Sequence, residues 1–156
     1  MKIDKSTIVL PLPTDELFER KEKFWRVKLP NDFVDFMKEN IGARPVDGEF
    51  ECNRHKYAID RFLCLLKTPR DNSLGMYDID VTLTQLEDRL TDNEELIGAD
   101  LLPIAVLFAG DFVCLDFRNN RDNPSVVVWN HEESAELEPI TYALANTFND
   151  FISMLE

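Results

Sequence analysis

Two short constellations in this chain combine residue types suited to chemistry. Cys52-x-x-His55 has the spacing of half a zinc site, with a thiolate and an imidazole offered from one turn. A structural zinc needs four such ligands. Cys64, Cys114 and His131 are scattered and supply no second pair at suitable spacing. His131-Glu132-Glu133 offers an imidazole with carboxylate support, the parts of a general base; its simpler reading is a solvated turn after a strand. No Gly-x-Ser-x-Gly nucleophile and no phosphate-cradling glycine loop accompany them, and the chain has only five glycines in all. On the residues alone we expect no metal, no cofactor and no catalysis.

The charges carry more information than these motifs. The net charge of the 156-residue chain is -13, and it is unevenly spread. Residues 1–70 hold 14 Lys/Arg against 12 Asp/Glu, whereas residues 71–156 hold 3 against 18. Nucleic acids and anionic membranes select basic faces, so neither is expected as a partner. A basic protein is. Between residues 71 and 100, Asp71, Asp78, Asp80, Glu87, Asp88, Asp92, Glu94, Glu95 and Asp100 have only Arg89 as a local counter-charge. Asp78, Asp80, Asp88, Asp92, Glu94 and Glu95 are therefore candidate partner-binding residues, against the alternative of a merely solvated acidic loop. Asp111, Asp116, His131, Glu132 and Glu133 join them as expected exposed edges of the strands that follow.

The elements that position these residues are legible from apolar spacing. Thr14 can cap a helix with Asp15 and Glu16 in its first turn and an apolar stripe of Leu17, Phe18, Phe24 and Trp25. A second helix starts after Pro30 and buries Phe33, Phe36, Met37 and Ile41, with Gly42 as its left-handed cap. Short strands are expected at Glu49–Cys52 and at Ile59–Leu66. Thr82-x-x-Gln85 and Thr84-x-x-Glu87 each fit a capping box, so a short helix carrying Leu86 and Leu90 is expected there. Ile104–Phe108 and Phe112–Phe117 form a hairpin around Gly110, and Val126–Trp129 extends it to a meander. A last helix is expected from Pro139, with Ile140, Leu144, Phe148, Phe151, Ile152 and Leu155 as its buried stripe. Strand and helix runs are segregated, which favours a single α+β domain over 1–156 with a central, mainly antiparallel sheet. No apolar run approaches the roughly 20 residues of a membrane span, and Met1–Pro11 is too short in its apolar part for a signal peptide. With three widely spaced cysteines read as reduced core residues, the protein is expected in the cytoplasm.

The order of these features resembles the SUKH superfamily (Smi/Knr-like domains), which comprises bacterial immunity proteins and fungal regulators of cell-wall synthesis. The matching residues are Leu29-Pro30-x-Asp32-Phe33-x-x-Phe36 with Asn40-x-Gly42, Pro103 opening a strand, and Gly110-Asp111 at the hairpin. Val126-Val127-Val128-Trp129 followed by His131-Glu132, and Ala145-x-Thr147-Phe148-x-x-Phe151, complete the set. They run from Leu29 to Leu155. The family often has a second glycine where Ile41 stands and a glycine-rich turn where Phe108-Ala109 stand. The resemblance implies an α+β domain with helices around an antiparallel sheet, and a C-terminal helix packed on it. It implies function by binding, with no catalytic residues to carry over. Bacterial members typically neutralise a cognate toxin, often a nuclease whose phosphate-binding cleft is basic. The expected partner is thus a basic toxin domain, or, as in the fungal relatives, a host protein under regulation.

Overall fold

The computed structural model describes residues 1–155. In chain order the elements are β1 (Ile3–Asp4), α1 (Asp15–Trp25), α2 (Asn31–Asn40), β2 (Arg44–Pro45), β3 (Glu49–Cys52), β4 (His55–Phe62), α3 (Ile79–Leu86), β5 (Leu101–Leu107), β6 (Phe112–Asp116), β7 (Ser125–Trp129), β8 (Thr141–Ala145) and α4 (Phe148–Met154). Strands β3 to β8 form one antiparallel sheet of six strands in sequential order, and β1 pairs with β2 in a separate ribbon. This is the expected α+β class with a C-terminal helix on the sheet.

Side chains alternate across the sheet, and each face is covered differently. Leu102, Ile104, Val113, Leu115, Val126 and Val128 point into the large core with Phe33 and Met37 of α2 and Phe148 and Phe151 of α4. Phe33 and Phe36 both meet Phe148 edge-on at 5.3 Å between centroids, which locks α2 to α4. Leu101, Cys114, Val127 and Trp129 point the other way. They form a smaller cluster with Leu86 and Leu90, supplied by the end of α3 and the 3₁₀ turn Glu87–Leu90.

Thr14 caps α1 as expected, its hydroxyl accepting from the Leu17 amide at 3.2 Å. Gly42 takes φ +70 beyond α2, and a Cβ there would lie 2.4 Å from Val9 Cγ2, so both space and backbone require glycine. Four expectations need correction. First, β4 begins at His55, because Asn53 (φ 51) and Arg54 (φ 66) make a tight two-residue hairpin turn that pairs Cys52 with His55. The ladder ends at Phe62. Second, α3 starts at Ile79 and not at the threonines. The Asp78 carboxylate caps it by accepting from the Val81 amide at 3.1 Å. Thr82 and Thr84 instead donate back to the carbonyls of Asp78 and Asp80, both at 3.0 Å, as mid-helix hydroxyls do.

Third, the long last helix is a strand followed by a short helix. Thr141–Ala145 pairs with β7, from Val126↔Ala145 to Trp129↔Thr141. The backbone bonds offered by β7, together with Thr141 and Tyr142 as good strand formers, override the helical spacing. Thr147 then caps α4 through the Asp150 amide at 3.1 Å. Phe148, Phe151 and Leu155 are buried, while Ile140, Leu144 and Ile152 are half-buried. Fourth, Phe24 leaves the apolar stripe of α1. It is 69% exposed although its neighbour Trp25 is 1% exposed.

Candidate functional site

The carboxylates of the second half fall into two groups. Asp78 is fully buried; besides capping α3 it accepts from the Leu66 amide at 2.8 Å. Burial pushes its carboxyl above the usual carboxylate range, against the backbone N–H groups that favour the charge. Asp80 pairs with Lys21 and accepts from Trp25 Nε1 at 2.8 Å, tying α3 to α1. Asp116, 8% exposed, is held by a two-pronged contact from Arg118 at 2.9 Å through each oxygen. Arg118 also donates to Thr141, and the Asp116 hydrogen bond holds the guanidinium above its usual pKa. Asp111, 9% exposed, accepts from the His131 amide at 2.9 Å and pairs with His131 Nδ1. Asp111 and Asp116 are thus not the exposed edges the sequence suggested, and Asp78 is not on the surface of the acidic stretch. Each spends its charge on backbone or side-chain donors that hold two elements together.

Asp92, Glu94, Glu95, Glu132 and Glu133 are exposed, and Asp88 is half-buried. Among the described residues the carboxylates of Glu87, Asp88, Asp92, Glu94, Glu95 and Glu136 make no ion pair. Their backbone is nevertheless well anchored. Trp129 Nε1 donates to the Arg89 carbonyl at 3.0 Å, the Arg89 guanidinium lies 5.2 Å from the Trp129 ring centre, and the Leu137 amide donates to the Asp88 carbonyl at 2.8 Å. The loop after it is fastened to the end of α1. The Ala99 amide donates to the Trp25 carbonyl at 3.0 Å, and Arg121 bridges Asp100 (3.0 Å) to that same carbonyl (3.1 Å). Gly98 passes so close that a Cβ would sit 2.5 Å from the Trp25 oxygen.

These ties leave a groove of about 730 Å³ between α1 and the segment from α3 to Leu101. Phe24, Leu83, Leu96 and Leu137 give it apolar surface. Glu87, Asp88, Glu94 and Glu136 line one side; Arg20 and the Asp80-paired Lys21 line the other. The sequence exposed the acidic side but not the groove. Nothing in its pattern marked Phe24 as exposed or brought Glu136 and Leu137 to the same place.

A second polar cluster lies at the hairpin end of the sheet. His131, held on Asp111, has Nε2 3.9 Å from Glu132 Oε1. Tyr142 donates to Glu133 Oε1 at 2.5 Å, and this bond holds the phenol above its usual pKa. Burial raises Tyr57 nearby. Among the described residues the imidazole's hydrogen-bond partner is Asp111, and no hydroxyl or thiol bonds it. Cys52 is buried with Sγ 3.4 Å from the Ala143 carbonyl, while His55 is exposed. Burial raises the thiols of Cys52, Cys64 (pushed up to about 12) and Cys114, which disfavours their reactive thiolate forms.

The antiparallel sheet with helices packed around it, and the C-terminal helix on it, are the framework the sequence resemblance implies. The profile described as SMI1/KNR4 family (SUKH-1) matches residues 12–154. The chain belongs to this family. A Bacillus subtilis (strain 168) relative, named an SPbeta prophage-derived uncharacterized protein YokK, is 24% identical over 152 residues. That alignment covers 91% of this chain and 74% of the relative. No solved structure matches. Within the SUKH-1 frame, the departure at the hairpin is absorbed locally: Ala109 itself takes φ +76 before Gly110 at +101. SUKH-1 membership implies protein–protein interaction as the mode of action. Among the described residues no helix is long and apolar enough to cross a membrane.

Proposed function

We propose that this SUKH-1 domain is an immunity protein that binds and blocks a basic toxin domain without chemistry of its own. The observation that carries this reading is the acidic wall formed by Glu87, Asp88, Asp92, Glu94 and Glu95, which make no ion pair among the described residues. It stands on a backbone anchored to Trp129, Leu137 and the end of α1. A pre-positioned field of one sign speeds encounter with a basic cleft and rejects acidic competitors. Because the wall is already ordered, binding costs little conformational entropy. Glu132 and Glu133, exposed in the turn after β7 whose His131 carbonyl accepts from Arg89, extend the proposed contact. The prophage origin in the relative's name is consistent with competition between bacteria as the setting.

The test is co-purification with a toxin domain encoded beside the gene, followed by titration. We expect a stable complex whose toxin activity is suppressed. Charge reversal at Asp88, Asp92, Glu94 and Glu95 should slow association at low salt by about tenfold or more. Absence of a neighbouring toxin gene, together with capture of a host regulatory protein, would favour the regulatory role of the fungal relatives.

A further inference from the structure

We infer that the groove between α1 and the acidic wall receives one large apolar side chain of the partner, flanked in its sequence by Lys or Arg. This rests on the reading of a basic protein partner and specifies how that partner is held. Phe24 is the first observation. A phenylalanine left 69% exposed beside a fully buried Trp25 has no role in the core. It lines the groove with the half-buried Leu83, Leu96 and Leu137. Exposed apolar surface inside a recess gains most from an inserted aromatic or long aliphatic group.

Charge names the rest of the occupant. Asp80 and Asp100 are already neutralised by Lys21 and Arg121. Glu87, Asp88, Glu94 and Glu136 have no such partner among the described residues, and they rim the same recess. An apolar anchor with basic neighbours satisfies floor and rim together. Arg20 on the α1 side gives the site a polarity, with the partner's cations turned towards the 3₁₀ turn. A second copy of this chain, at net charge -13, and an anionic lipid surface are both repelled by that rim. The recess needs no occupant to stay open, because the Ala99–Trp25 and Arg121–Asp100 bonds hold its two walls.

The probe is a seven-residue peptide with one tryptophan between three Lys or Arg residues on each side, titrated into the isotope-labelled full chain by NMR at 150 mM salt. Its control replaces the tryptophan with serine. The tryptophan peptide should bind at least tenfold more tightly than the control and shift the signals of Phe24, Leu83, Leu96 and Ala99. Phe24→Ser should remove that advantage and leave the control peptide's binding unchanged. Thr84→Trp, an exposed position on the rim, should do the same by filling the recess. Charge reversal at Glu87, Glu94 and Glu136 should weaken both peptides. Equal affinity of the two peptides, with both still lost on charge reversal, overturns the anchor but leaves the acidic wall as the partner surface. Tryptophan-peptide binding that ignores charge reversal overturns the cationic occupant. Failure of both peptides to bind the wild type overturns the anchor and the acidic-wall reading together.

Discussion

Asp78 and Asp80 at the start of α3, and Asp92, Glu94 and Glu95 beyond its end, belong to one acidic stretch of sequence but do opposite work. The first pair is withdrawn into the molecule. Asp78 holds the amides of Leu66 and Val81, and Asp80 holds Lys21 and the Trp25 indole. The second group makes no ion pair among the described residues and faces water. The fold uses carboxylates of the first kind as connectors and leaves those of the second kind available to a partner. Charge density along a chain is therefore a poor guide to charge density on its surface until the donors have been assigned.

The sharpest way to break this distinction is Asp78→Ala. It leaves two amides without their acceptor, one of them buried, and should cost about 2–3 kcal/mol by urea denaturation. A loss below about 0.5 kcal/mol would place Asp78 with the solvated group. Next is Gly98→Ala, where φ is +109 and the new Cβ meets the Trp25 carbonyl. We expect a loss of about 1–2 kcal/mol and shifted signals from the groove wall, since the loop must move away from α1. A neutral outcome would show that the wall is not fastened there.

Protonation gives a smaller effect of defined sign. Burial raises the folded-state pKa of Asp78, so the native chain keeps a proton that the unfolded chain releases above its ordinary value of about 3.9. The stability this group contributes is complete below that value and falls as pH rises through the raised one. The stability of the wild type relative to Asp78→Asn should therefore decline from about pH 4 towards neutrality. A relative stability that climbs across the same interval contradicts the burial argument. The smallest effect belongs to the other group: Asp92→Lys, Glu94→Lys and Glu95→Lys together should change stability by no more than about 0.5 kcal/mol. A larger loss in thermal or urea melts would mean that these residues are connectors after all.

Much of the fold was legible because it rests on strong local signals. Thr14 and its acidic first turn, the Phe33–Met37 spacing, and the Gly110 hairpin all mean in the structure what they mean in the chain. The errors come where tertiary partners decide. Ile140 and Leu144 fit a helical stripe, but the open edge of β7 draws Thr141–Ala145 into the sheet. Thr82 and Thr84 look like caps, but Asp78 is held in place by the Leu66 amide, outside the helix, and takes that role. For the site, the acidic residues were visible and their division was not. Asp111 and Asp116 read as polar strand ends, and only the positions of His131 and Arg118 show them to be engaged. Phe24 was invisible as a surface residue because its spacing is that of the core.

In the proposed function the solvated carboxylates, and not the engaged ones, face a basic protein partner. This is tested most directly by stopped-flow association of the neighbouring toxin domain with the wild type and with the charge-reversed Asp88, Asp92, Glu94 and Glu95 variant, at about 50 and 300 mM salt. We expect a wild-type rate that falls steeply with salt and a variant rate at least about tenfold lower at 50 mM, with little salt dependence left. Equal rates for the two proteins at both salt concentrations would contradict it.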